Sequence, residues 1–227
     1  RVELTFSSAD DMADNAKAPI FLINELLEQD SHGLLVGASM SFKTFAAIRL
    51  AHSVCTGRSF FNHSIQEQGK VLYVCGEGKG ALSRRFKAIT NELGSFNGNL
   101  IVLNEHILID AAVPMLELEK LITEQNPVLV IFDTFSSLIG GTQENSNSDV
   151  ANCLRLIKGA CGSDSKTSSI IVHHTGKDTS NGTRGASAFQ GNVEFLFTME
   201  RSEGSMLTTL HCEKQKDWDS FDDIAME

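Results

Sequence analysis

The residues best equipped for chemistry stand in four short stretches: Gly37-Ala38-Ser39-Met40-Ser41-Phe42-Lys43-Thr44, Glu77, Asp133 and His173-His174. The first follows the pattern G-x-x-x-x-G-K-[ST]. In that pattern backbone N–H groups and a helix N-terminus wrap anionic phosphates, the lysine reaches the β- and γ-phosphates, and the hydroxyl ligates Mg2+. Gly37, Lys43 and Thr44 stand where the pattern needs them, whereas Phe42 fills the slot of the second glycine, so the match leans on its flanks. Asp133 closes an apolar run, the form of a second nucleotide-binding motif whose carboxylate holds Mg2+ directly or through water. Its plainer alternative is a helix-capping aspartate. Glu77 is the candidate general base, because hydrolysis needs a carboxylate to orient and deprotonate water opposite the leaving phosphate. A loop carboxylate that merely caps the next helix would look the same. One of His173 and His174 is placed to hydrogen-bond the γ-phosphate and report its loss. Successive strand residues face opposite ways, so only one of the pair can do so; a satisfied structural histidine is the competing explanation.

These residues need elements to hold them. A strand pattern at residues 34–36 precedes the loop, and an alanine-rich helical pattern (Phe45, Ala46, Ile48, Leu50, Ala51, Val54) follows it up to Gly57. Residues 1–18 read as an irregular polar lead-in, and residues 19–227 as one domain. Pro19 is expected to open a short amphipathic helix carrying Ile20, Ile23, Leu26 and Leu27, and Phe60 and Phe61 to enter the core. Apolar runs at 71–75, 100–103, 128–132 and 169–172 predict strands. They alternate with helices at 81–93, at 114–125 (Leu116, Leu118, Leu121 and Ile122 inward) and around Val150, Cys153, Leu154, Ile157 and Cys161. Runs at 193–199 and 206–212 predict a closing hairpin. The sum is an α/β fold: a mostly parallel central sheet with helices on both faces and a C-terminal antiparallel hairpin. In such a sheet right-handed crossovers bring every parallel strand to an end on one edge, and ligands bind there. The four chemical stretches are strand ends, so they converge.

Composition narrows the classes. With 227 residues, 41% hydrophobic and three prolines, the chain is large enough for a well-buried core and has no low-complexity linker. No apolar run approaches the roughly 20 residues that span a bilayer, and the Arg1-Val2-Glu3 opening lacks a signal-peptide pattern. Five scattered cysteines without C-x-x-C fit reduced thiols and a cytoplasmic location, with no structural metal. A formal charge of −10 argues against nucleic acid bound over the whole surface. The best local cluster, Lys79, Arg84, Arg85 and Lys87, also fits a solvated helix face.

Taken together, certain ordered stretches resemble the RecA-like ATPases of the plasmid RepA helicase type and related phage replication ATPases. These are residues 37–44 ending in Ser-Phe-Lys-Thr, Gly76-Glu77-Gly78 followed by residues 82–88, Ile131-Phe132-Asp133-Thr134, Glu144-Asn145, and His173-His174-Thr175-Gly176-Lys177 leading to Arg184-Gly185. The resemblance covers roughly residues 18–217. It implies a RecA-like core that assembles into a hexameric ring, hydrolysing MgATP between subunits to move along single-stranded DNA. By that resemblance Glu77 is the catalytic base, and His173 or His174 the phosphate sensor. It also directs attention to Lys214 and Lys216, a basic pair that would reach a neighbour's γ-phosphate. Residues two apart in an extended segment share a face and sit about 6.5 Å apart, and Arg184 is a rival for the role. DNA would meet the loops at 140–148 and 175–185, of which the first has no Lys or Arg and the second only Lys177 and Arg184. Two other classes stay open: a recombination or loading factor that forms filaments on DNA, and a non-motor switch that binds ATP to regulate a partner.

Overall fold

The computed structural model describes residues 6–76, 79–162, 166–175, 186–202 and 204–227. Its centre is an eight-stranded sheet in the order β10-β9-β8-β3-β7-β6-β4-β5. The parallel part comprises β3 (His32–Gly37), β4 (Val71–Cys75), β5 (Leu100–Val102), β6 (Leu129–Asp133), β7 (Ser168–His174) and β8 (Phe195–Arg201). The expected hairpin is there: β9 (Thr208–Gln215) runs antiparallel to β8. A further edge strand, β10 (Ile224–Met226), pairs with β9 and is too short to have shown as a pattern.

Alternation along the strands sorts side chains into two layers. Leu35, Val71, Tyr73, Ile131, Ile170, Val172 and Phe197 face a core shared with α2 (Lys43–Thr56) and α3 (Lys79–Leu93). Leu34, Val36, Leu72, Val74, Val130, Phe132 and Ile171 face the core under α4 (Ala112–Gln125) and α5 (Asn147–Cys161), with Phe189 of α6 (Ala186–Asn192). Burial on both faces explains why these strands read as unbroken apolar runs. Helix α2 stops where the sequence says, at Gly57 in the left-handed conformation (φ 75°).

Four expectations change. The helix after Pro19 is a small hairpin, β1 (Phe21–Ile23) with β2 (Leu27–Glu28), because the chain here bonds outward: Asn24 N–H donates to Ser64 and Gln66 N–H to Leu22. Leu22, Ile23, Leu26 and Leu27 are all buried, and a spacing that mimics a helix is overridden by this pairing. The lead-in holds a short helix, α1 (Ala9–Asp14), capped by Ser8, whose Oγ accepts from Asp11 N–H at 3.0 Å; nothing on it is buried. On α4 Met115, Leu118 and Ile122 are buried and Leu121 packs half-buried against the same core, while Leu116 is 52% exposed. Of the aromatic pair, Phe60 is core and Phe61 half-buried. Among the described residues no helix is long and apolar enough to cross a membrane.

Gly33 has a steric reason to be glycine: a Cβ there would lie 2.4 Å from the Phe195 carbonyl oxygen and 2.5 Å from its ring. Gly33→Ala therefore forces β3 and β8 apart, and a loss of about 1–3 kcal/mol is expected. An unchanged urea midpoint would contradict that packing.

Candidate active site

The turn from β3 into α2 makes the centre of the site. Met40 (φ 63°) and Phe42 (φ 60°) both take the left-handed conformation, which costs a residue with a Cβ about 1–2 kcal/mol. This is the local reason the common pattern has glycine at the second of these positions. Phe42 is the N-cap of α2 and offers no side-chain cap, nor is there an acidic residue in the first turn. No side chain at position 42 caps this 14-residue helix, so its N-terminus suits an anion. Gly37 lets the loop lie flat, since a Cβ would come within 2.4 Å of the Met199 carbonyl oxygen and 2.7 Å of Ser41 Oγ. Lys43 is 4% exposed, and its ammonium donates to the carbonyls of Gly37 (2.8 Å) and Ala38 (2.7 Å), with Ser41 Oγ at 3.4 Å. A buried cation at the first residue of α2 is thereby held against carbonyls of its own loop. Phosphate oxygens fit that combination of charge and N–H groups, so the residues present suit a nucleotide.

The Phe42 ring leaves the mouth of the loop open. Residues 37–41 line an open cleft of about 760 Å³ together with Thr175, Met199 and Arg201. Phe42 instead lines a neighbouring apolar cleft of about 260 Å³ with Phe45, Ile89 and Met226.

Asp133, 4% exposed, ends β6 on the α2 side of the sheet, where alternation from Leu129 and Ile131 puts it. Its Oδ2 accepts from Tyr73 Oη at 2.5 Å, a partner that sequence reasoning missed. Tyr73 is fully buried on β4, in register with Ile131, so the bond crosses the strands diagonally. Burial first, and the Asp133 carboxylate second, push the phenol well above its ordinary value, so Tyr73 remains a donor. With Thr44 in the first turn of α2, Asp133 can hold Mg2+; among the described residues no cluster of His, Cys, Asp and Glu is fit to do so unaided, and phosphate oxygens complete the shell.

Strand β7 lies between the loop strand and the Asp133 strand and separates the two histidines. His173 points into the other layer and is 1% exposed, its ring 4.6 Å from Phe189 and 5.7 Å from Phe135. His174 is in register with Gly37, on the face that carries Asp133, and Thr175 N–H donates to the Gly37 carbonyl. Of the two, His174 is therefore the one beside the phosphate loop.

Glu77 and residues 176–185, with Lys177 and Arg184 of the expected DNA loop, lie outside the described residues. Gly76 is fixed beside Asp133, whose carbonyl accepts its N–H at 2.9 Å, and a Cβ on Gly76 would meet Ser137 Oγ at 2.2 Å. The structure does not bring Lys214 to this edge: it sits four residues along β9 from Leu210, the partner of Met199, which is about 13 Å away along the strand. Its ammonium donates to the Gln190 and Val193 carbonyls of the same chain, both at 2.6 Å. Lys216 is exposed nearby. In the loop at 140–148, Asp110 accepts from the N–H groups of Gly140, Gly141 and Thr142 at 2.7–3.1 Å. Burial alone would raise this carboxyl, but the three N–H groups hold it below its usual range.

A phosphate loop at a helix N-terminus, an aspartate at a nearby strand end and a parallel sheet between helical layers define a P-loop nucleoside triphosphatase. The comparison with known families agrees: a family model described as an AAA domain (AAA_25) matches residues 1–180. The chain belongs to this family of P-loop ATPases, and with it goes nucleotide-hydrolysing activity. No curated protein matches the chain.

Tyr73 is the only tyrosine, so its titration can be read alone. Tyrosinate absorbance should stay absent in the folded protein as the pH passes about 10 and appear on unfolding. Because the folded value lies above the unfolded one, the stability linked to it is complete below the unfolded value and is lost as the pH rises through the folded one. Tyr73→Phe removes a donor from a buried carboxylate and should cost about 1–3 kcal/mol. A phenol that titrates normally in the native state would refute the Tyr73–Asp133 bond.

Proposed function

We propose that this chain is the RecA-like motor domain of a ring-forming replicative DNA helicase of the plasmid RepA type, hydrolysing MgATP between neighbouring subunits to move along single-stranded DNA. The observation that carries this reading is that Lys43, Asp133 and His174 share one face and one edge of the sheet, with β7 between the loop strand and the Asp133 strand. The ordered motif set that resembles the RepA type supports it beside the geometry.

In this mechanism Lys43 and the backbone N–H groups at 38–44 bind the β- and γ-phosphates, and Thr44 and Asp133 hold the metal. Bound Mg2+ would neutralise charge on the phosphate oxygens as the terminal bond breaks. Tyr73 keeps Asp133 in place, so its carboxylate need not reorganise during turnover. His174, at the mouth beside Gly37, hydrogen-bonds the γ-phosphate and registers its departure. Glu77 takes the proton from the attacking water. Lys214, Lys216 and Arg184 are the candidates to serve a neighbour's site, and Lys214 would first have to give up its bonds to the Gln190 and Val193 carbonyls at the end of α6. Charge lent across an interface makes turnover depend on assembly. DNA contact rests on the loops at 140–148 and 175–185. Their few cations gain from repetition around a ring, because each subunit adds phosphate contacts to one strand.

The test is steady-state ATPase activity with and without single-stranded DNA, across protein concentrations that span assembly. Stimulation by DNA together with a steep concentration dependence supports the motor. Activity that ignores both supports a nucleotide switch and overturns the proposal. Lys43→Ala should abolish turnover in every condition, a loss of at least about a hundredfold, because the removed charge faces the transferred phosphate.

A further inference from the structure

We infer that Arg201 is a positioning residue for the phosphate loop: from the tip of the β8–β9 hairpin it holds in place the two left-handed residues, Met40 and Phe42, that shape the loop where a second glycine would ordinarily do so. The inference rests on the assignment of residues 37–44 as the nucleotide site.

The problem that Arg201 answers is set by the sequence. A glycine before the lysine adopts a positive φ freely, whereas phenylalanine does so only when its surroundings over-determine it. Those surroundings are on the page. The Arg201 guanidinium lies 4.5 Å from the centre of the Phe42 ring, and its Nη1 donates to the Met40 carbonyl at 3.1 Å. One side chain thus grips both left-handed positions, one through its carbonyl and the other through its ring. The guanidinium is itself fixed: Nε donates to the Ser205 carbonyl at 2.6 Å, and Nη2 lies 3.9 Å from Met206 Sδ. Ser205 and Met206 belong to the turn of the same hairpin, so the grip is anchored in the sheet. Phe45 meets the Phe42 ring edge-on, with the centroids 6.0 Å apart. With the ring held by these two contacts, a move of the Phe42 backbone to negative φ would disturb both. The N–H groups that follow it then keep their aim at the phosphates.

Arg201 also lines the cleft in front of the loop. A direct pull on the triphosphate is therefore the rival explanation, and the two differ in how they depend on Phe42. Positioning of residue 42 acts through the ring and falls away when that residue is glycine, which needs no help to hold a positive φ, leaving only the hold on the Met40 carbonyl. A direct charge effect is indifferent to the ring.

The experiment measures MgATP binding by calorimetry, with KM and kcat, for the parent chain, Arg201→Ala, Arg201→Lys, Phe42→Gly and the double variant. Circular dichroism melts verify folding, and Arg201→Met, which keeps the stem and removes the charge, stands in if Arg201→Ala does not fold. Arg201→Ala is expected to weaken binding about tenfold, with the loss falling on KM more than on kcat. Arg201→Lys, whose ammonium can still sit over the ring, should recover most of it, to within about threefold of the parent. In the Phe42→Gly background the same removal of Arg201 should cost clearly less, about threefold, because only the hold on Met40 is left; the difference is the signature of coupling. Equal penalties in both backgrounds, or no penalty in either, overturn the inference while leaving the ATP site and the motor proposal standing. A parent chain that binds no MgATP overturns all three.

Discussion

Everything in this molecule is arranged around the turn between β3 and α2, which must aim backbone N–H groups and one buried ammonium at the same point. Backbone donors collected in this way repel one another and the lysine, so the turn holds only while carbonyls or an anion answer them. In the structure Gly37 and Ala38 carbonyls meet Lys43, and the start of α2 has no side-chain cap. The geometry is costly to keep, because two residues with side chains sit at positive φ. Neighbouring elements therefore close on the loop from several directions: β8 against Gly37, β7 through Thr175, and Arg201 over Phe42.

The sheet turns that local geometry into a site. Alternation gives each strand end a choice of two faces, and the choice decides what chemistry is possible. Gly37, Asp133, Tyr73 and His174 fall on the face that α2 covers, whereas His173 falls on the other and becomes part of an aromatic cluster with Phe135 and Phe189. Placing β7 between the loop strand and the Asp133 strand puts a polar side chain, His174, between the lysine and the carboxylate. A bond from a fully buried phenol then fixes the carboxylate, and low local dielectric makes such a bond both strong and expensive to lose.

Electrostatics also separate what belongs to one chain from what would need a second. Lys214 satisfies two carbonyls of its own chain at the edge away from the loop, so its charge already serves α6. Lys216 is exposed beside it. Asp110 organises the loop at 140–148 from within, collecting three backbone N–H groups that would otherwise face solvent.

Much of this was legible in the chain alone. The phosphate loop, Asp133 and the alternation of apolar strands with helices are local patterns. Local spacing suffices to fix them, and the α/β fold with its closing hairpin follows from them. The cap of α1 was equally local, in Ser8 and Asp11, but stood among polar residues with no periodicity to announce it. What sequence could not supply are facts that join distant segments. Residues 20–27 have helical spacing and form strands because a partner at 60–66 claims their backbone bonds. The choice between His173 and His174, the Tyr73–Asp133 bond and the grip of Arg201 on Phe42 all depend on strand order and register. These are set by packing across the whole sheet, so only the tertiary structure decided them.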